Sequence, residues 1–127
     1  MERIFWAGVG GFIGSALRYG LGGWLARMKG GATFPWETLV INVAGCLAIG
    51  VLAALAETRG LFTGTTRVFV FVGILGGFTT FSTFGYETFQ LLRDGQHAAA
   101  AASAALQFVL GIGAVWAGNT LVRAVWG

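Results

Sequence analysis

Apolar positions in this chain fall into four long runs separated by short polar breaks. The first extends from Ile4 to about Ala26, with a charge only at Arg18. The second covers Thr38 to Ala56 and holds no charge. The third, Val68 to Tyr86, is also uncharged and continues past Glu87 to Leu92. The fourth, Ala98 to Val122, is again uncharged. A helix that crosses a bilayer needs about 20 mostly apolar residues, so the pattern predicts four transmembrane helices over about 4–26, 38–56, 68–92 and 98–122. Little chain is left over, which predicts one transmembrane domain over 1–127 and no soluble domain. The first break holds Arg27, Lys29, Gly30, Gly31 and the single proline, Pro35. The second holds Glu57, Arg59, Gly60, Gly64 and Arg67, and the third Arg93, Asp94 and Gly95. Connections this short make successive helices antiparallel neighbours. The first run is too long for the apolar core of a secretory signal and lacks a small-residue cleavage site.

Composition agrees with a membrane setting. Of 127 residues, 56% are hydrophobic and 10% charged, against about 25% charged in soluble domains. Mean hydropathy is +0.76. Disorder is excluded by the abundance of apolar residues. The lone Cys46 excludes an intrachain disulfide and a cysteine-based zinc site, and the lone His97 excludes a histidine-rich metal site within one chain. The net charge of +3 is spread thinly, without the basic cluster that tracks a phosphate backbone, so no nucleic-acid partner is expected.

With four spans, both termini and the second connection share one side of the membrane. That side carries Arg3, Arg59, Arg67 and Arg123, and the other carries Arg27, Lys29 and Arg93. Lys/Arg excess normally fixes orientation. A difference of one cation permits insertion in both directions, and hence an antiparallel pair built from one copy of each.

Polar side chains inside hydrocarbon are costly unless paired or wet. Thr38 and Asn42 lie four apart on one face of the second helix. Their bland use is an interhelical hydrogen bond. The third run contains Gly76-Gly77-Phe78-Thr79-Thr80-Phe81-Ser82-Thr83-Phe84. Paired glycines cost about 1 kcal/mol each against alanine, and Thr79, Thr80, Ser82 and Thr83 compete for their own backbone. A mid-membrane break is therefore predicted, the alternative being a helix only kinked by hydroxyl back-bonding. Unwound carbonyls at that depth must be buried in protein or line a cavity, and such carbonyls often hold a cation. Phe81 and Phe84 share a face. The positive edge of a ring favours a small anion, although phenylalanine in a membrane is ordinarily packing material. Arg18 either snorkels to the interface or draws anions into a vestibule. Glu87 is a helix-end carboxylate or a gating group.

Three stretches resemble the fluoride channel family known as Fluc or CrcB: Gly10-Gly11-Phe12-Ile13-Gly14-Ser15-Ala16-Leu17-Arg18-Tyr19, Thr38-Leu39-Val40-Ile41-Asn42-Val43-Ala44-Gly45, and Gly76 to Phe84 followed by Glu87. The resemblance implies an all-α membrane protein with its third helix broken, assembled as an antiparallel dual-topology homodimer in the plasma (inner) membrane. It also implies passive fluoride export through two pores at the subunit interface, relieving fluoride toxicity. Phe81 and Phe84 resemble the pore phenylalanines, and Asn42 the pore asparagine that donates to the ion. Thr38, Ser82 and Thr83 resemble a hydroxyl track. Arg18 resembles an arginine near the pore entrance, and Glu87 a carboxylate beside the outer pathway. Gly76 and Thr79 resemble the break positions whose carbonyls, from both subunits, hold a structural sodium ion (Na+). The chain departs from the family at Gly85, where serine is common, and at Gly111, which stands where the fourth helix often carries a serine. The nearest polar side chains there are Gln107 and Ser103.

Other classes fit less well. A proton-coupled small multidrug-type transporter needs an ionisable carboxylate deep in the bundle, and the first, second and fourth runs contain none. A membrane assembly protein accounts for the glycines but not for the clustered hydroxyls, phenylalanines and asparagine. An enzyme needs a nucleophile–base or carboxylate pair, which the sequence does not offer.

Overall fold

The computed structural model describes residues 1–127 and is entirely helical. In chain order, α1 is Glu2–Met28, α2 Trp36–Arg59, α3 Gly64–Arg67, α4 Gly76–Phe78, α5 Phe81–Arg93 and α6 His97–Trp126. Between α3 and α4, Val68–Leu75 forms a π-helical segment. It is continuous with both neighbours, so residues 64–78 make one rod. Thr79 and Thr80 then adopt extended backbone, with φ/ψ of −84°/158° and −150°/119°, before α5 begins. The helical signal ends where the glycine pair meets four hydroxyl residues, as local competition for backbone hydrogen bonds predicts.

Helix boundaries follow ordinary stop chemistry. Gly60 closes α2 in left-handed backbone at φ 66°, a conformation that costs glycine nothing. Pro35 precedes α2, where its missing N–H is no loss.

Three helical stretches are long and apolar enough to cross a membrane: Trp36–Arg59, Gly64–Arg93 with its break, and His97–Trp126. At 27 residues α1 has the length. It is not among those three, because glycines, Arg3 and Arg18 dilute its hydropathy. The architecture is consistent with a four-span membrane fold. Only 17 of 127 residues are buried, and large side chains such as Phe12, Val72, Phe81, Phe108, Ile112 and Trp116 face outward. A soluble fold does not leave so much contiguous apolar surface to water; lipid or another subunit covers it.

Two helix pairs make the framework, and glycine brings both to backbone contact. A Cβ added to Gly10 of α1 would lie 2.9 Å from the Gly73 Cα in the π segment. In the other pair, a Cβ on Gly50 of α2 would lie 2.9 Å from the Val115 carbonyl carbon of α6. α2 and α6 run side by side in the same direction. Asn42 meets Gln107 65 positions later. Cys46 with Gly111, and Gly50 with Val115, repeat that offset one and two turns on. Ion pairs mark the ends: Lys29–Glu37 at 2.9 Å and Arg123–Glu57 at the opposite end.

Candidate functional site

The break at Thr79–Thr80 is held by specific partners. Asn42 reaches it from α2 and clamps one residue at both polar groups. Its Nδ2 donates to the Thr80 carbonyl at 3.0 Å, while its Oδ1 accepts from the Thr80 N–H at 2.9 Å. In an unbroken helix that N–H would bond the Gly76 carbonyl. Gly45 lies one turn along from Asn42, and the Thr79 methyl occupies the space where a Cβ of residue 45 would stand. Glycine there lets α2 approach the break.

α5 restarts with its own cap. Thr80 is the N-cap, and its Oγ1 accepts from the Thr83 N–H at 3.2 Å, as threonine at this position commonly does. That N–H would otherwise serve the Thr79 carbonyl. The Gly76 and Thr79 carbonyls thus both lose their α-helical donors. Thr80 Oγ1 also donates to Thr83 Oγ1 at 3.0 Å and lies 3.4 Å from Ser82 Oγ. Thr80 was absent from the sequence-derived site. The N-cap preference of threonine just before the Phe81 restart was the signal that would have found it.

The orphaned carbonyls at the end of α4 are shared out. Arg18 of α1 donates from Nε to the Gly77 carbonyl at 3.1 Å, placing a cation at the negative end of a helical segment. Arg18 is therefore tied to the break and is not among the residues lining the cavity beside it. No cluster of His, Cys, Asp or Glu is placed to hold a metal. The Gly76 and Thr79 carbonyls, released from their α-helical donors, are neutral, hard oxygens at the break.

A cavity of about 490 Å³ opens beside the break. Asn42, Gly76, Thr79, Phe81, Phe84 and Gln107 contribute to its wall. Phe81 and Phe84 meet edge to face, with centroids 5.6 Å apart and an interplanar angle of 63°. Phe81 is 78% exposed, so its ring stands at the open side. Gly111 also lines the cavity and presents no donor. Thr38 and Glu87 pair with each other one level away. The Thr38 hydroxyl donates to Glu87 Oε1, and Glu87 faces a separate polar hollow of about 200 Å³ shared with Lys29, Gln90 and Asp94.

Of the residues predicted from sequence, the structure gathers Asn42, Phe81, Phe84, Gly76 and Thr79 at one cavity. Ser82 and Thr83 cluster on the Thr80 hydroxyl at the start of α5. Thr38 and Glu87 form their own pair, and Arg18 binds the break through Gly77.

The fold and site define an integral membrane protein whose third span is interrupted beside an aromatic and amide-lined cavity. Its family follows from comparison: residues 5–119 match the family described as CrcB-like protein, Camphor Resistance (CrcB), and the chain belongs to that family. A protein of Methylobacillus flagellatus named fluoride-specific ion channel FluC is 43% identical over 123 residues, covering 97% of this chain and 96% of that one. The fluoride-specific ion channel FluC of Nitrobacter winogradskyi is 46% identical over 91% of each chain. In Methanosarcina barkeri, fluoride-specific ion channel FluC 3 is 41% identical over 98% of this chain and 93% of its own length. The chain is a multi-pass membrane protein.

Proposed function

We propose that this protein is a fluoride channel, not an enzyme, through which fluoride leaves the cytoplasm down its own gradient. The observation that carries the reading is the cavity wall. Two phenylalanine rings in edge contact stand with neutral amides and no ionised acid. A small, strongly hydrated anion needs substitute donors when it sheds water, and neutral donors with ring edges supply them without binding too tightly for release. The fluoride-specific relatives support the choice of ion. Phe81 and Phe84 are the ring ligands. Thr38, Ser82 and Thr83 extend the path with hydroxyls, and Asn42, in the cavity wall, contributes its amide to the path and also fixes the break on which the path depends. Arg18 and Glu87 act on the path from its flanks.

The conducting unit in this reading is an antiparallel homodimer in the plasma (inner) membrane. Its support is the near balance of cations on the two sides and the outward exposure of Phe81, Phe108 and Ile112 beside the break. A two-fold axis through that face brings the Gly76 and Thr79 carbonyls of both copies together, four oxygens for one sodium ion. The ion supplies positive charge that ties the two interrupted helices.

The test is anion efflux from liposomes carrying the purified protein, comparing fluoride with chloride. Fluoride is expected to leave rapidly with no proton or sodium gradient, and chloride to be retained. Fluoride movement only under an imposed proton gradient would favour a coupled antiporter instead.

A further inference from the structure

The polar hollow beside Glu87 stands at the Thr38 end of the proposed path, yet its acids outnumber its cations. Lys29, Glu87 and Asp94 are the ionisable side chains in its wall, and Lys29 is the one cation. Asp94 is paired with its neighbour Arg93 at 3.2 Å, and Glu87 accepts from the Thr38 hydroxyl. An anion entering here has only Lys29 to meet it with positive charge.

Lys29 is already engaged. Its Nζ lies 2.9 Å from Glu37 Oε1 and 3.0 Å from Glu37 Oε2, so both carboxylate oxygens share one ammonium. The side chains are 21% and 20% exposed, against 49–62% in the other two ion pairs. Solvent therefore screens this pair less than the others. Each partner sits where a helix end favours its charge: Lys29 caps the C-terminal end of α1, and Glu37 lies in the first turn of α2, next to Thr38. An ammonium has three N–H donors. Two carboxylate oxygens engage two of them, which leaves one for the hollow.

We propose that Lys29 captures fluoride at this mouth of the path, and that Glu37 is a tethered competitor that promotes its release. This rests on the fluoride-channel reading and adds an entry site to it. Conduction needs binding favourable enough to enter and weak enough to leave. A half-buried ammonium alone meets the first condition and fails the second. Glu37 offsets part of the Lys29 charge, and it regains its partner as the anion moves on toward Thr38.

Three variants, checked by gel filtration, separate capture from a general field. The readout is the fluoride concentration that half-saturates efflux from liposomes at fixed, low ionic strength. Glu37→Gln frees the ammonium and should lower that concentration about fivefold, the factor for two unit charges 4 Å apart in water. Lys29→Gln should raise it about fivefold. The double variant Lys29→Gln/Glu37→Gln has the same net charge as the wild type. A field alone therefore predicts wild-type behaviour for it, whereas loss of a capturing donor predicts a rise of at least about threefold, the low end for one hydrogen bond. A double variant that matches the wild type overturns the proposal and leaves the channel reading intact. So does a rise in Glu37→Gln. Absence of fluoride efflux from the wild-type protein overturns both. A measurement on the wild type covers the case in which a variant misfolds. Lys29 is the only lysine in the chain, so selective ¹⁵N-lysine labelling gives one side-chain ammonium resonance. A shift with sodium fluoride and not with sodium chloride supports capture. A resonance unmoved by fluoride in a conducting protein refutes it.

Discussion

Replacing Asn42 by alanine tests the clamp on which the interrupted span depends. The substitution removes three hydrogen bonds, two to the Thr80 backbone and one to Gln107. Two backbone groups are left without partners in an apolar setting, at about 1–3 kcal/mol each. Relaxation offsets part of this loss, because the Thr80 N–H regains the Gly76 carbonyl if the helix closes over the break. Polar contacts between membrane helices average only about 0.6 kcal/mol in double-mutant cycles. The balance is a loss of about 2–3 kcal/mol, or roughly a 30- to 150-fold change in a local opening constant. Amide hydrogen exchange at Thr80, in detergent micelles or nanodiscs, reads that constant directly. Exchange is expected to accelerate by this factor in Asn42→Ala, and fluoride flux to fall with it.

Asn42→Asp divides the clamp into its halves. An acceptor for the Thr80 N–H survives, so that amide stays protected. The former donor becomes an oxygen facing the Thr80 carbonyl, and thermal stability falls as an unpaired charge enters the bundle. If Thr80 exchange in Asn42→Ala stays within about threefold of the wild type, smaller than leaving one buried backbone group unpaired predicts, the clamp does not hold the break.

The remaining predictions concern the wall, the framework and the surface. Phe81→Ile and Phe84→Ile keep apolar bulk but lose the positive ring edge, and each should sharply reduce fluoride flux while gel filtration still shows a folded assembly; wild-type flux in both would make the rings mere packing. Gly73→Leu forces a side chain against the Gly10 backbone, where even a Cβ would lie 2.8 Å from the Gly10 Cα, and should destabilise by about 1–3 kcal/mol or more in thermal unfolding. Arg18→Met leaves the Gly77 carbonyl without its donor and should lower the melting temperature, whereas Glu57→Gln, at an exposed ion pair, should change stability by less than about 1 kcal/mol.

The apolar runs made the helical fold legible because span length is set by bilayer thickness, and hydropathy reads that length directly. The break was legible for a local reason: Gly76-Gly77 followed by four hydroxyl residues within seven positions is poor helix on intrinsic grounds. The π-helical form of Val68–Leu75 had no such signature, since its residues suit an ordinary helix equally well. Partnerships across the bundle were the least legible. Sequence spacing placed Thr38 and Asn42 on one face, but a face does not name its neighbour. Asn42 finds its partner 38 residues away and Arg18 finds one 59 residues away. In both cases the partner is a backbone group, which carries no side-chain signal at all.

The structure gives Asn42 a task at the break that its sequence spacing did not name. A polar side chain in a membrane helix is expensive in isolation, so its presence announces an interaction without saying whether the other party is an ion or the protein. The break supplies the decisive term. Once Thr79 and Thr80 leave the helix, unpaired backbone groups exist at membrane depth, and their demand must be met there by protein. Asn42 meets it at Thr80 and Arg18 at Gly77. The polar atoms still uncommitted are then the informative ones for an ion. They include the carbonyls of Gly76 and Thr79, whose α-helical donors Thr80 N–H and Thr83 N–H are engaged elsewhere, and the buried Gln107 Nε2, which has no hydrogen-bond partner.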